Sequence, residues 1–222
     1  MSLTEQLSQR RASASKRFSA DKLEIMQRAT RDLEASGLAQ ASASVGDRLP
    51  DHSLPNARGE QVSLSALRER GPLVISFYRG GWCPYCNLEL RALQQVLPEM
   101  RALSASLVAI SPERPDHASA TALRNEVSFE VLSDVGNVFA RKLGLVFELP
   151  PDLRAVYGDL GLDVEDHNGD DRWELPLPAT YVVARDGTIG YAFVDADYTK
   201  RAEPEHILAA LRGLPAATDA ES

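Results

Sequence analysis

Apolar and polar residues along this chain follow two periods. In the first 45 residues Leu23, Met26 and Leu33 recur at helical spacing behind Asp21, which can cap a first turn, and Gly37 is placed to close the helix in a left-handed conformation. The same stretch is rich in Ala and Ser, lacks proline and carries seven bases against five acids, so residues 1–44 read as a helical extension. Its apolar stripe has two possible uses: packing on the rest of the chain, or joining two copies as a homodimer through these N-terminal helices.

From Val45 to Ser63 short alternating runs are broken by Gly, Pro and Asn, the pattern of a hairpin with tight turns. Leu73 to Tyr78 then reads as a buried strand, followed by a helix from about Cys86 to Leu103. Leu90, Leu93, Leu97 and Met100 share a stripe on that helix, and Pro98 should kink it. A second strand ends at Ile110 and completes a βαβ unit. Ala118–Asn125 reads as helix, Val131–Leu132 as a short strand and Asn137–Leu143 as a helix stopped by Gly144. Thr180–Ala184 and Thr188–Val194 flank the hairpin turn Arg185-Asp186-Gly187, and a last helix runs from Glu203 to Leu214. The stretch Pro151–Leu175 holds eight acids against two bases and reads as a helical turn followed by a solvated loop. Its glycines do not fit a calcium-binding loop, since Val164 and Leu175 would fall on ligand positions. The sum is an α/β fold, a mixed sheet flanked by helices, with one domain over 45–216 and a disordered tail at 217–222.

Composition narrows the classes further. Of 222 residues, 44% are hydrophobic and 25% charged, the balance of a water-soluble globular protein. The net charge of −8 argues against nucleic acid as a partner. No apolar run approaches membrane-spanning length, and the N-terminus lacks the apolar centre of a secretory signal, so no membrane partner and a reducing, cytoplasmic location are expected.

Cys83 and Cys86 are the whole cysteine inventory, so any disulfide within the chain is local. They lie in Trp82-Cys83-Pro84-Tyr85-Cys86, between a buried strand and a helix start, where free N–H groups stabilise a thiolate. The three-residue step puts both sulfurs on one side of a helical turn, so the second can displace what the first has bound. Structural zinc would need two more ligands, and His52, His117, His167 and His206 are scattered. Gly80 and Gly81 call for a turn that exposes the pair, which argues against inert core thiols. Neither a cofactor nor a metal is called for.

Three segments, VGDRLPDHSLPNARGEQVSLSAL, ISFYRGGWCPYCNLEL and LPATYVVARDGTIGYAFV, together resemble the peroxiredoxin-like AhpC/TSA branch of the thioredoxin fold, over about three quarters of the chain. The family's active-site Pro, Thr and peroxidatic Cys positions fall on Arg79, Cys83 and Cys86, and Glu89 sits where the family often has an acid. The family's arginine before the later hairpin strand falls on Pro178, where thioredoxins keep a cis-proline beside their cysteine pair. With Thr and Arg both missing, Arg79 and Arg201 are the candidates for the oxygen-holding donor, and Trp82, Pro84 and Tyr85 shape the turn.

The resemblance implies reduction of hydroperoxides by Cys86, with Cys83 resolving the sulfenic acid and a thioredoxin- or glutathione-type reductant restoring the dithiol. A CPYC pair is also the glutaredoxin arrangement, in which Cys83 attacks. The alternative function is therefore a protein-disulfide reductase or isomerase, with a cis Pro178 shaping the groove for a disulfide substrate. A non-catalytic redox sensor is the third class.

Overall fold

A computed structural model describes residues 1–215; the tail expected at 217–222 lies outside them. The N-terminal extension folds as α1 (Leu3–Ala12), a 3₁₀ turn, α2 (Ala20–Ala35) and α3 (Leu38–Ala41). Ser2 and Glu5 form a reciprocal capping box on α1, satisfying N–H groups that the first turn leaves unpaired. On α2 the cap is Ser19, with Asp21 in the first turn, and Gly37 adopts φ 74° after the last turn.

A small antiparallel hairpin of β1 (Ser53–Pro55) and β2 (Gln61–Ser63) follows, then α4 (Leu64–Arg70). The central elements are β3 (Leu73–Phe77), α5 (Pro84–Ala102), β4 (Ser106–Ser111), α6 (Pro115–Arg124), β5 (Glu130–Ser133) and α7 (Val138–Lys142). After them come β6 (Val146–Glu148), α8 (Pro151–Asp159), α9 (Val164–Asn168), β7 (Glu174–Pro176), β8 (Ala179–Val183), β9 (Ile189–Val194) and α10 (Pro204–Gly213). The main sheet has the order β5-β4-β3-β8-β9. β3, β4 and β5 are parallel, and β8 and β9 run antiparallel to their neighbours. A central strand covered on both faces needs apolar residues throughout, and every residue of β3 is buried.

The period of two divides that strand between two cores. Val74 faces α5, α10 and α1, whereas Leu73, Ile75 and Phe77 face α4 and α7. Burying Leu3 and Leu7 against the α5 side ties the N-terminus to the domain, and Ile25, Met26 and Ala29 of α2 pack on α8. Leu23, Met26 and Leu33, the stripe considered for a homodimer, are half-buried: Met26 and Leu33 rest on the chain's own domain.

The acid-rich stretch differs from expectation. In place of a solvated loop it forms α8, α9 and β7, which pairs antiparallel with β6. Leu153, Val156 and Tyr157 follow i, i+3, i+4 spacing and turn inward with Val164 and Leu175, while Asp159 and Glu165 stay exposed. Among the described residues no helix is long and apolar enough to cross a membrane.

Candidate active site

β3 delivers the chain into the turn Tyr78 to Trp82, and α5 begins at Pro84 with Cys83 as its N-cap residue. Proline suits the first helical position because the N–H it lacks would have no partner there. The glycines have steric causes: Gly80 has φ 148°, and a Cβ on Gly81 would collide with Thr121 Oγ1. Buried Glu113 accepts the Gly81 N–H at 3.0 Å and pairs with His167 at 2.9 Å, while Asn87 and Arg124 donate to the Gly81 carbonyl. The turn is thus held on both of its polar edges.

Both cysteines are free and buried, with Cys83 1% and Cys86 0% exposed. Arg201 reaches Cys86 from the segment between β9 and α10, its Nη2 donating to Sγ at 3.1 Å. The same guanidinium donates from Nε to Glu89 at 2.6 Å and from Nη1 to the carbonyls of Tyr198 and Lys200, each at 2.6 Å. One side chain thereby bonds α5 at two places one helical turn apart, Cys86 and Glu89. Ser76 of β3 donates to the other Glu89 oxygen at 3.3 Å.

Arg79 is 2% exposed and lies between aromatic rings, 4.5 Å from the Tyr198 centroid and 4.9 Å from that of Trp82. It also hydrogen-bonds the Tyr157 hydroxyl. A buried guanidinium stays ionised in such company because ring faces and thiolate sulfur offset its lost hydration. Tyr85 packs edge-on against Tyr198.

The two sulfurs titrate as a pair. Burial opposes ionisation of Cys83, but the Cys86 thiol, the charges of Arg79 and Arg201 and the Cys86 backbone N–H outweigh it and hold Cys83 well below the usual thiol range. Burial and the neighbouring Cys83 charge push Cys86 up. Cys83 is also the sulfur that lines a cleft of about 1020 Å³, together with Arg79, Trp82, Pro84 and Tyr85.

Seven of the eight residues expected at the site, Cys83, Cys86, Trp82, Pro84, Tyr85, Arg79 and Arg201, are brought together. Pro178 is different. No peptide bond among the described residues is cis, so the Leu177–Pro178 bond is trans. Pro178 lines an adjoining cavity of about 240 Å³ with Met26, Leu33 and Leu153; the cavity shares Arg79, Tyr157 and Tyr198 with the Cys83 cleft. The expectation of a cis bond at Pro178 is corrected accordingly: the bond is trans, Pro178 forms apolar wall, and the guanidinium that reaches Cys86 is that of Arg201. Sequence reasoning missed Tyr157, Tyr198 and Glu113. The inward spacing of Leu153, Val156 and Tyr157 was the available signal for the first.

Comparison with known proteins matches residues 45–192 to a family described as the AhpC/TSA family. The chain is 28% identical over 178 residues to a chloroplastic peroxiredoxin Q of Gentiana triflora, covering 80% of this chain and 69% of that protein. It is 25% identical over 150 residues to peroxiredoxin Bcp of Escherichia coli, covering 68% and 85%. Among solved structures, peroxidoxin BcpB of Mycobacterium tuberculosis superposes with a TM-score of 0.61 at 22% identity, over 78% of this chain and 99% of that one.

Proposed function

Since the chain belongs to the AhpC/TSA family, we propose that it is a thiol peroxidase in which Cys83 attacks a hydroperoxide and Cys86 resolves the product. Family membership and the peroxiredoxin relatives support the reaction class. The observation that carries the order of attack is the cleft: it meets Cys83, the sulfur whose ionisation its neighbours favour, and leaves Cys86 behind it. Arg79 Nε and Trp82 Nε1 are buried N–H donors in that cleft with no acceptor among the described residues. They can hold the two peroxide oxygens, the work that Thr and Arg do elsewhere in the family.

The Cys83 thiolate attacks the terminal peroxide oxygen. An S–O bond forms as the O–O bond breaks, and the departing alkoxide takes the proton of the Cys86 thiol and leaves as an alcohol. Cys83 is then a sulfenic acid and Cys86 a thiolate steadied by Arg201. Attack of Cys86 on the Cys83 sulfur forms the disulfide and expels hydroxide, which leaves as water. A thioredoxin- or glutathione-type thiol donor returns two electrons, in keeping with a reducing, cytoplasmic setting.

Burial of both sulfurs disfavours the disulfide-reductase alternative, because a protein disulfide would have to enter beneath Arg79 and the N-terminal helices. The test mixes prereduced protein in a stopped-flow instrument with hydrogen peroxide, cumene hydroperoxide or a model disulfide and follows thiol loss. Fast loss with the hydroperoxides and slow loss with the disulfide is expected. The opposite ranking would reject the peroxidase reading.

A further inference from the structure

The wall opposite the CPYC turn is built by the N-terminal extension, which lies outside the residues matched to the family. In a chain of net charge −8 the cleft is basic: Arg10, Arg11, Arg17, Arg31, Arg79 and Arg124 line it against Glu34 and Asp197. Arg11 pairs with Asp197 and Arg31 with Glu24. Among the described residues, Arg10, Arg17, Arg79 and Arg124 have no carboxylate within 4.0 Å of their guanidinium nitrogens.

Two of these cations crowd each other. Arg17 Nη2 donates to the Arg10 carbonyl at 2.9 Å, and burial together with the Arg17 charge pushes the Arg10 guanidinium down from its ordinary value. Arg10 Nε is buried without an acceptor. With Arg79 Nε and Trp82 Nε1 it makes three unpartnered buried atoms on the cleft, all of them N–H donors. Buried donors without acceptors cost stability, so such a surface favours an occupant rich in oxygen and negative in charge. Leu23, Met26, Leu160 and Leu162 supply apolar wall in the same cleft, whose volume suits a small organic molecule.

We infer that the preferred substrate is an organic hydroperoxide bearing a carboxylate, with Arg10 and Arg17 holding the carboxylate, the leucines and Met26 covering the hydrocarbon, and the peroxide at Cys83. This rests on the thiol-peroxidase reading. The planar guanidinium fork matches a carboxylate.

The experiment uses prereduced full-length protein with no other thiol present, so a carboxylate on a reductant cannot contribute. Second-order rate constants for thiol loss are compared for 4-carboxycumene hydroperoxide and its methyl ester. The acid should react about tenfold faster or more than the ester, the size set by one charge-assisted bond. That ratio should fall toward one in Arg10→Gln and Arg17→Gln, and in the wild type as salt is raised. The salt series needs no variant, so a substitution that fails to fold leaves the test intact. A wild-type ratio near one, with both compounds consumed, would overturn the inference while leaving the peroxidase reading standing. A ratio insensitive to salt and to both substitutions would overturn it too. Failure to consume either compound would instead remove the reading on which it rests.

Discussion

Arg201 and Cys86 stand 115 positions apart, yet the guanidinium meets the sulfur at 3.1 Å. Arg201 Nε is fixed on Glu89, one helical turn beyond Cys86, so the carboxylate aims the fork that touches the thiol. The position where the family resemblance expects this arginine holds Pro178; the guanidinium that meets Cys86 comes instead from the segment after β9, at the same end of the sheet as the start of β8.

Removing the guanidinium by Arg201→Met should lower the rate of peroxide-driven disulfide formation by about 10²–10³-fold, the usual loss on deleting a preorganised charged donor. Arg201→Lys keeps the charge without the fork and should recover part of that rate. Stopped-flow thiol loss measures both. Equal rates in wild type and Arg201→Met would remove Arg201 from the site.

Glu89 gives stability a signed pH dependence. Burial, offset in part by Arg201 and the Ser76 hydrogen bond, lifts its carboxyl to about 7, against about 4.3 in an unfolded chain. Between those values the folded state binds more protons, so this contribution to stability is full below the unfolded pKa and is lost as pH rises to about 7. Glu89→Gln lacks the titration. Relative to wild type it should therefore gain on the order of 3 kcal/mol between about pH 4 and pH 8, read from urea unfolding at each pH. A constant difference across that range would show that Glu89 titrates normally.

Much of this site could be read from residue order because its parts are local. Strand, glycine turn, Pro84 and the cysteine step lie within fifteen positions, and each has a steric or electrostatic reason that acts at short range. Arg79 and Arg201 could be named as candidate donors, but which sulfur Arg201 meets depends on how β9 and α10 return to α5, which no local pattern encodes. The isomer of the Leu177–Pro178 bond likewise depends on surrounding packing, so analogy with thioredoxins misled. In Pro151–Leu175 the count of acids masked an amphipathic helix: charge measures the outer face, and the core was written in the spacing of Leu153, Val156 and Tyr157.

Pro178→Arg would restore the family's residue at that position, yet it should not raise peroxide reactivity, because Arg201 already serves Cys86. The new guanidinium would enter the cavity lined by Met26, Leu33, Leu153 and the buried Arg79. Overfilling that cavity, which Asp32 and Glu148 also line, should destabilise the fold by roughly 1–3 kcal/mol. Thermal unfolding and peroxide kinetics on the same sample check both halves, and faster peroxide consumption by a stable variant would contradict the assignment of Pro178 as a wall.

Oxidation of the wild type by one equivalent of hydroperoxide should remove two hydrogens per chain and give a single intramolecular Cys83–Cys86 disulfide, because no other cysteine can resolve the sulfenic acid. Intact mass under non-reducing conditions reads this directly. A disulfide-linked dimer as the main product would contradict it.

The order of attack is decided by trapping the sulfenic acid. Each single serine variant, Cys83→Ser and Cys86→Ser, is mixed with one equivalent of cumene hydroperoxide in the presence of dimedone, and the adduct is located by peptide mass spectrometry. Attack by the cleft-facing thiolate predicts an adduct on Cys83 in Cys86→Ser and no peroxide consumption by Cys83→Ser. An adduct on Cys86 in Cys83→Ser, with Cys86→Ser inert, would contradict it and return the attacking role to the sulfur held by Arg201.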